Sequence, residues 1–377
     1  MKNALLVLAG LSLLATSAFA SKARLTSLGQ EANGSAYVKD IRSLYYNAAY
    51  VTKGEFATFE FGNTAGTTTT APTAPNAEGA FVRKLAGYDF GLTLGRRSSR
   101  FDTLVTAANT ALATDVRVGN NSTEVVVGGN ATNLTWGAGL MVAQAEDEAP
   151  AGGNKSTASS LELRGGVIAS GWEAFAELYP SAKAEVASTS TAEGKFGFKV
   201  GGSYDLSDAT LFGDLKVDGG KWKANNNSVD QESDVMVLRA GYAQTQKVGE
   251  GVDFIWSAGL TMDNTKTKDK VTTNSDVTNN YLYIPLVVAL EAQATDWMTV
   301  RGAVTQKVLL DRYENGTGST TTDSHATNTT SVAAGVGFKW KKLVMDATLE
   351  GANGTTGNAG KVNGTALLAN GSLSYYF

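Results

Sequence analysis

The sequence predicts an all-β protein, a transmembrane antiparallel β-barrel of about fourteen strands (12–16) with short periplasmic turns and long extracellular loops. Three observations predict it. Apolar residues recur with period two over long runs, short and long connectors alternate, and the chain ends on an alternating strand whose last residue is Phe377.

The period comes first. In residues 251–265, Val252, Phe254, Trp256, Ala258, Leu260 and Met262 hold the even positions, and the odd ones are polar or small apart from Ile255. Side chains alternate across a strand, so one apolar face lies opposite a polar one. The pattern repeats through Met298, Val300, Val304, Val308 and Leu310, through Leu282, Ile284, Leu286, Val288 and Leu290, and through Phe196, Phe198, Val200 and Tyr204. These runs of about 10 to 16 residues exceed ordinary globular strands and suit the 9–11 residues of a tilted membrane-crossing strand.

The connectors carry an independent signal. Short turns fall near residues 170–171, 206–207, 249–250, 294–295 and 341, and long polar connectors at 146–157, 181–192, 224–232, 266–278, 313–328 and 352–363. About twelve strands follow residue 133. Upstream, residues 53–62 read as a strand with Ala57, Phe59 and Phe61 on one face, and 63–78 as its outside loop. Residues 80–95 read as a single return strand through Val82, Ala86, Tyr88, Phe90, Leu92 and Leu94. An even total allows closure with both ends of the barrel chain on the periplasmic side. In residues 96–132, positions 101–114 suit a short amphipathic helix and 123–127 a further strand.

Both chain ends carry addresses. Lys2, an apolar run over residues 4–14 and Ala18-Phe19-Ala20 form an export signal, with cleavage expected between Ala20 and Ser21. The apolar run is too short to span a bilayer as a helix. Leu373, Tyr375 and Phe377 alternate up to the C-terminus and resemble the assembly signal read by barrel-insertion machinery. The expected organisation is residues 1–20 as signal peptide, 21–52 as an N-terminal periplasmic or plug segment, and 53–377 as the barrel, in the bacterial outer membrane.

Composition narrows the function. The 377 residues include no Cys, which excludes disulfides, thiolate metal sites and Cys nucleophiles. The single histidine, His325, lies in a polar stretch without an apolar frame. No catalytic residue, metal or cofactor is therefore expected, and the protein is not read as an enzyme. A net charge of -4 gives no reason to expect nucleic acid. The expected partners are outer-membrane lipid and lipopolysaccharide, the barrel-assembly machinery, and a second copy of the chain in a homo-oligomer.

If the apolar positions face lipid, the alternate ones face the lumen. The charged residues so placed are Arg83, Arg164, Lys195, Lys199, Lys216, Arg239, Arg301, Lys307 and Lys339, against Glu60, Asp89, Glu162, Glu173, Glu177, Asp214, Glu291, Asp346 and Glu350. Such a lumen is expected to be hydrated, because unpaired charge in a dry interior is costly. Equal numbers of each sign predict weak ion selectivity. Trp172, Tyr204, Tyr242, Tyr281, Trp297, Trp340, Tyr375 and Phe377 lie near expected strand ends, where interfacial aromatics belong.

In export signal, strand ladder and C-terminus the chain resembles Gram-negative outer-membrane porins. A second resemblance is local. Leu28-Gly29, then Asp40, then Tyr46-Asn47-Ala48-Ala49 looks like the start of FadL-like proteins, which carry hydrophobic compounds across the outer membrane. Asn47 and Ala49 match that family's Asn-Pro-Ala motif, and Ala48 stands where the family has Pro. The resemblance implies an N-terminal plug in a fourteen-stranded barrel. The leading expectation is passive diffusion of small hydrophilic solutes and ions. The alternatives are a plugged carrier with an apolar pocket drawn from Leu25, Leu28, Ile41, Leu44 and Tyr45, and a structural or surface-interaction barrel.

Overall fold

The computed structural model describes residues 21–62, 76–96, 98, 100, 122–147, 155–186, 190–224, 230–271, 276–315, 329–352 and 370–377. The export signal, the helix expected over 101–114 and His325 lie outside these residues. Two short helices, α1 (Lys22–Ser27) and α2 (Ser43–Tyr46), and a 3-10 helix (Ala48–Lys53) come first. Seventeen strand segments follow: β1 (Phe56–Gly62), β2 (Asn76–Leu85), β3 (Tyr88–Leu94), β4 (Ser122–Ala131), β5 (Leu134–Asp147), β6 (Ser156–Ala169), β7 (Trp172–Val186), β8 (Ser190–Gly194), β9 (Gly197–Leu206), β10 (Ala209–Ala224), β11 (Asp230–Gly249), β12 (Val252–Asp269), β13 (Val277–Thr295), β14 (Met298–Asn315), β15 (Thr329–Trp340), β16 (Leu343–Ala352) and β17 (Asn370–Tyr376).

Every pairing is antiparallel, and β1 pairs with both β2 and β17, which closes the sheet. β8 and β9 both lie between β7 and β10 and are one interrupted strand. The wall therefore has sixteen positions, at the upper bound of the expected range rather than fourteen. The two additional strands arise upstream. Residues 80–95 are not one strand but the hairpin β2–β3, turned at Ala86 and Gly87 with φ of 51° and 86°. Positive φ at both central residues marks the turn that matches strand twist. A two-residue turn also reverses parity, so Val82 points inward and is fully buried whereas Phe90, Leu92 and Leu94 point outward. The second addition is β4, which contains the strand expected over 123–127.

The outward face is apolar. Phe59, Phe81, Leu92, Leu140, Leu178, Leu238, Leu260, Val288, Val304 and Leu373 are all exposed along it. Burying such a surface in hydrocarbon is what stabilises a membrane barrel, and closure leaves no backbone edge unpaired in lipid. Aromatic rings gather at the turn end. Tyr242 meets Trp256 at 5.3 Å, Trp297 stacks on Phe338 at 5.9 Å, and Tyr375 meets Phe377 at 5.4 Å. Trp172, Tyr204 and Trp340 are exposed near the same end. Tyr281 differs, because it pairs with Asp263 on the inward side of β12.

Residues 21–52 lie inside the barrel. The segment folds by local rules. Ser21 caps α1 through its Oγ, which accepts the Arg24 N–H at 3.1 Å, and Gly29 ends that turn at a φ of 68°. Asp40 and Ser43 cap α2 reciprocally. Asp40 Oδ1 accepts the Ser43 N–H at 3.1 Å, and Ser43 Oγ accepts the Asp40 N–H at 2.9 Å. Asn47 Oδ1 then accepts the Ala49 N–H at 3.0 Å and starts the 3-10 helix.

Two apolar clusters fasten this segment to the wall. Leu25, Leu28 and Val38 pack on Ile255, Ala289 and Ala303. Leu44, Tyr45, Ala48 and Val51 pack on Phe56, Ala80, Val82 and Val126. The wall is cut to fit at Gly137 and Gly166, where a β-carbon would overlap the Ala48 carbonyl and the Asn47 side chain respectively. Gly166→Leu is expected to leave a barrel that still migrates as a folded species before heating but to unseat the segment. Trypsin should then cut native protein at Lys22 and Arg24, which are buried in the parent. Protection equal to the parent's would contradict this packing.

Candidate functional site

The site is the lumen, and the wall alone does not form it. Glu60 on β1 and Glu78 on β2 are direct cross-strand neighbours, both buried. Like charges so placed repel. Cations from the N-terminal segment lie between them. Arg42 pairs with Glu60 and, at 3.2 Å, with Glu78, while Lys22 Nζ reaches Glu78 at 3.2 Å and the Lys22 N–H donates to Glu60 at 2.9 Å.

A second cluster forms beside it on β13, β14 and β16, with β17 between Glu60 and Asp346. Arg24 donates twice to Glu291, at 2.7 and 2.9 Å. Glu291 also accepts from Arg301 at 2.6 Å, Arg301 donates to Asp346 at 2.7 Å, and Ser21 Oγ donates to Asp346 at 2.9 Å. A third centres on Arg164, which pairs with Glu124 and donates to the carbonyls of Leu44 and Tyr45 at 2.9 and 3.0 Å. Arg96 shares Glu124 at 3.1 Å. Lys39 pairs with Glu173, and Asn47 donates to the carbonyls of Val167 and Ala174 at 3.2 and 3.3 Å. Removing one partner of such a buried pair costs about 3–5 kcal/mol, because the other charge is left uncompensated.

Many of the charges expected to line a hydrated lumen are therefore drawn into a clamp. Glu60, Arg164, Glu173, Glu291, Arg301 and Asp346 all belong to it. Glu162 accepts from Ser98, and Asp89 is buried near the turn end. Two expected lumen charges face outward instead. Arg83 shares the outward parity of Phe81, pairs with Glu55 at 2.9 Å and lies 4.7 Å from the centre of the Phe377 ring. The parity reversal at the hairpin turn accounts for it. Lys195 sits in the break between β8 and β9 and pairs with Glu232 and Asp234, on the β11 face that also carries exposed Met236 and Leu238. An extra residue in a strand shifts side chains to the other face.

Of the candidate motif in the N-terminal segment, Leu28 and Ala49 are fully buried, Gly29 and Asp40 shape α1 and α2, and Asn47 bridges to the wall. Lys22, Arg24, Lys39, Arg42, Glu78, Arg96 and Glu124 complete the clamp and were not among the sequence candidates. The only sequence signal of the cations is the density of charge in residues 22–42 and near 96, while Glu78 and Glu124 are single carboxylates on β2 and β4.

Two cavities flank the clamp and share no lining residue. A turn-side one of about 280 Å³ is lined by Lys247, Asp253, Glu291, Arg301, Lys339 and Asp346 among others. A loop-side one of about 520 Å³ is lined by Glu31, Tyr37, Tyr45, Tyr46, Arg96, Glu177, Tyr179, Lys199, Phe212, Asp214, Lys216, Arg239, Tyr283 and Lys307, with smaller residues between them. A further recess carries Glu350, Lys22 and Gln30. The apolar pocket expected from Leu25, Leu28, Ile41, Leu44 and Tyr45 does not form as such. The leucines are consumed in packing, Ile41 packs beside them, and only Tyr45 reaches the larger cavity.

No protein-family model and no curated protein matches the sequence. Among solved structures, a Pseudomonas aeruginosa FadL homologue is 13% identical, with 95% of this chain and 98% of that one covered and a TM-score of 0.49. The Pseudomonas putida toluene transporter TodX is 10% identical, with 95% and 96% covered and a TM-score of 0.36. CdiB from Acinetobacter baumannii is 9% identical, with 86% of this chain covered and a TM-score of 0.47, and the chain spans 59% of CdiB's length. The closed antiparallel wall, its apolar outer band and its aromatic girdle make this a bacterial outer-membrane β-barrel.

Within the plug, Asp40 is buried 3.7 Å from Arg24. Burial pushes its carboxyl up to about 7, against the lowering effect of the Arg24 and Arg42 guanidiniums. The folded plug thus keeps a proton that the unfolded chain releases near 3.8. Its contribution to stability is complete below about pH 4 and is lost as pH rises to about 7. Asp40→Asn keeps the acceptor for the Arg42 and Ser43 N–H groups, and it should flatten the pH dependence of N-terminal protection from trypsin between pH 5 and 8. An unchanged slope would remove Asp40 as its source.

Proposed function

We propose that the protein is a plugged transport barrel, which admits small solutes to the loop-side cavity and passes them inward when the N-terminal segment shifts. The observation that carries this reading is the clamp. Buried pairs from Arg24 and Arg42 hold residues 21–52 across the lumen, with one cavity on either side. A sixteen-strand wall encloses a lumen too wide for its own side chains to fill, so an unplugged barrel of this size would conduct. A static diffusion pore has no need of a folded segment tied to the wall by several ion-pair clusters.

The energetics suit a gate. Each cluster is strong when complete and weak once a partner leaves, so release is cooperative. Among the clusters, Arg24–Glu291–Arg301–Asp346 stands at the border of the turn-side cavity, where exit would occur.

Planar-bilayer recording on the folded mature chain tests the proposal. The parent should be silent or show only brief, small openings, and deletion of residues 21–51 should give steady steps on the order of hundreds of picosiemens, as an open wide barrel passes. Arg24→Ala should raise opening frequency without changing the size of the full step. Steady ohmic conductance in the parent, unaltered by the deletion, would restore the passive-pore reading.

A further inference from the structure

We propose that the loop-side cavity binds small aromatic carboxylates, which sit between Lys199 and Lys307 and displace Glu31 of the plug from Arg239. This rests on the reading of that cavity as the entry site and names its ligand class.

The first ground is a pair of cations without direct partners. Lys199 on β9 and Lys307 on β14 both line the cavity, and among the described residues neither makes an ion pair within 4 Å. The other wall cations nearby are engaged, Arg96 by Glu124 and Lys216 by Asp218 at 3.6 Å. Asp214 acts on Lys199 and Asp263 on Lys307 only at longer range, and an anion placed against either ammonium adds the direct pair that these carboxylates do not make. Of the carboxylates that line the cavity, Glu31 pairs with Arg239, Glu177 accepts from the Tyr179 hydroxyl, and Asp214 faces Lys199 and Arg239 without an ion pair within 4 Å among the described residues, so a ligand carboxylate competes for cations that no wall carboxylate holds directly.

The second ground is the aromatic surface around these cations. Lys307 Nζ lies 3.9 Å from the centre of the Tyr283 ring, and Lys199 Nζ lies 5.9 Å from that of Tyr46. Aromatic faces beside the ammonium groups offer stacking to a planar ring whose carboxylate meets the charge. A hydrocarbon would find charged and phenolic groups instead of an apolar pocket, since the leucines of the plug are already packed.

The third ground is a carboxylate already in place. Arg239 on β11 donates to Glu31 of the plug at 2.9 Å. The Glu31 side chain is 69% exposed, so this pair is weak and exchangeable, unlike the buried clamp. A ligand carboxylate can take the same guanidinium, which removes one plug-to-wall tie on the loop side. Binding is thereby coupled to loosening of the plug, with no covalent step.

Calorimetry on the full mature chain, folded in detergent, tests this with benzoate, benzamide and hexanoate as probes. Benzoate should bind about tenfold tighter than benzamide and about threefold tighter than hexanoate, the sizes expected of one ion pair and one stacking contact. Lys199→Gln and Lys307→Gln should each weaken benzoate about fivefold or more, while Lys307→Arg keeps it within about twofold. Glu31→Gln should tighten benzoate by about threefold, because it removes the competing carboxylate. Lys223→Gln, on an exposed rim residue, should change nothing. Equal affinity for benzoate and benzamide, equal affinity for hexanoate, or weaker binding in Glu31→Gln would overturn the proposal. The outcomes stay separate from those for the plug. A conducting parent that binds benzoate refutes gating alone, and a silent parent that ignores benzoate refutes the ligand class alone.

Discussion

The contact on which the rest depends is the meeting of Glu60 and Glu78 with Arg42 and Lys22. Two carboxylates opposite each other on adjacent strands are unfavourable in a buried lumen. They are stable here because the plug brings cations to them. Glu291 and Asp346 repeat the arrangement around Arg24 and Arg301. The barrel and its N-terminal segment are therefore electrostatically complementary halves of one core, and the wall's charge pattern makes sense only when the segment is inside it.

Geometry and charge reinforce one another. A sixteen-strand wall leaves space that inward side chains cannot fill. The plug fills part of it with compact helical turns, which bring backbone close to the wall at Gly137 and Gly166. Its leucines supply the apolar contacts that a hydrated lumen lacks. The cavity that survives on the loop side keeps the cations and tyrosines that the clamp does not use. Transport through such an interior depends on loosening a few buried pairs, which is a discrete event and not a change in pore width.

The barrel was legible because its signal is periodic and local. Residues 251–265 announce β12 without any knowledge of its neighbours, and the connectors give the alternation of turns and loops. One additional strand was hidden by turn geometry, and the other, β4, was visible over 123–127 but stood outside the count of fourteen. Ala86-Gly87 preserves the look of a continuous alternation while reversing which parity faces lipid, and that reversal also put Arg83 on the wrong side. Lys195 was misplaced by the same kind of event, one extra residue between β8 and β9. The clamp was less legible. Arg24 and Arg42 are visible as charges, but nothing local reveals that Glu291 and Glu78 wait for them across the lumen.

The most direct test of the account is the accessibility of the plug in the native membrane. The chain contains no cysteine, so a single introduced one reports alone. Leu28→Cys and Ala49→Cys, examined separately in outer-membrane vesicles with a membrane-impermeant maleimide, are predicted to stay unlabelled until the barrel is denatured, whereas Lys223→Cys labels at once. Labelling of both plug cysteines at the rate of the Lys223→Cys control would show that residues 21–52 do not occupy the lumen, and would contradict the account.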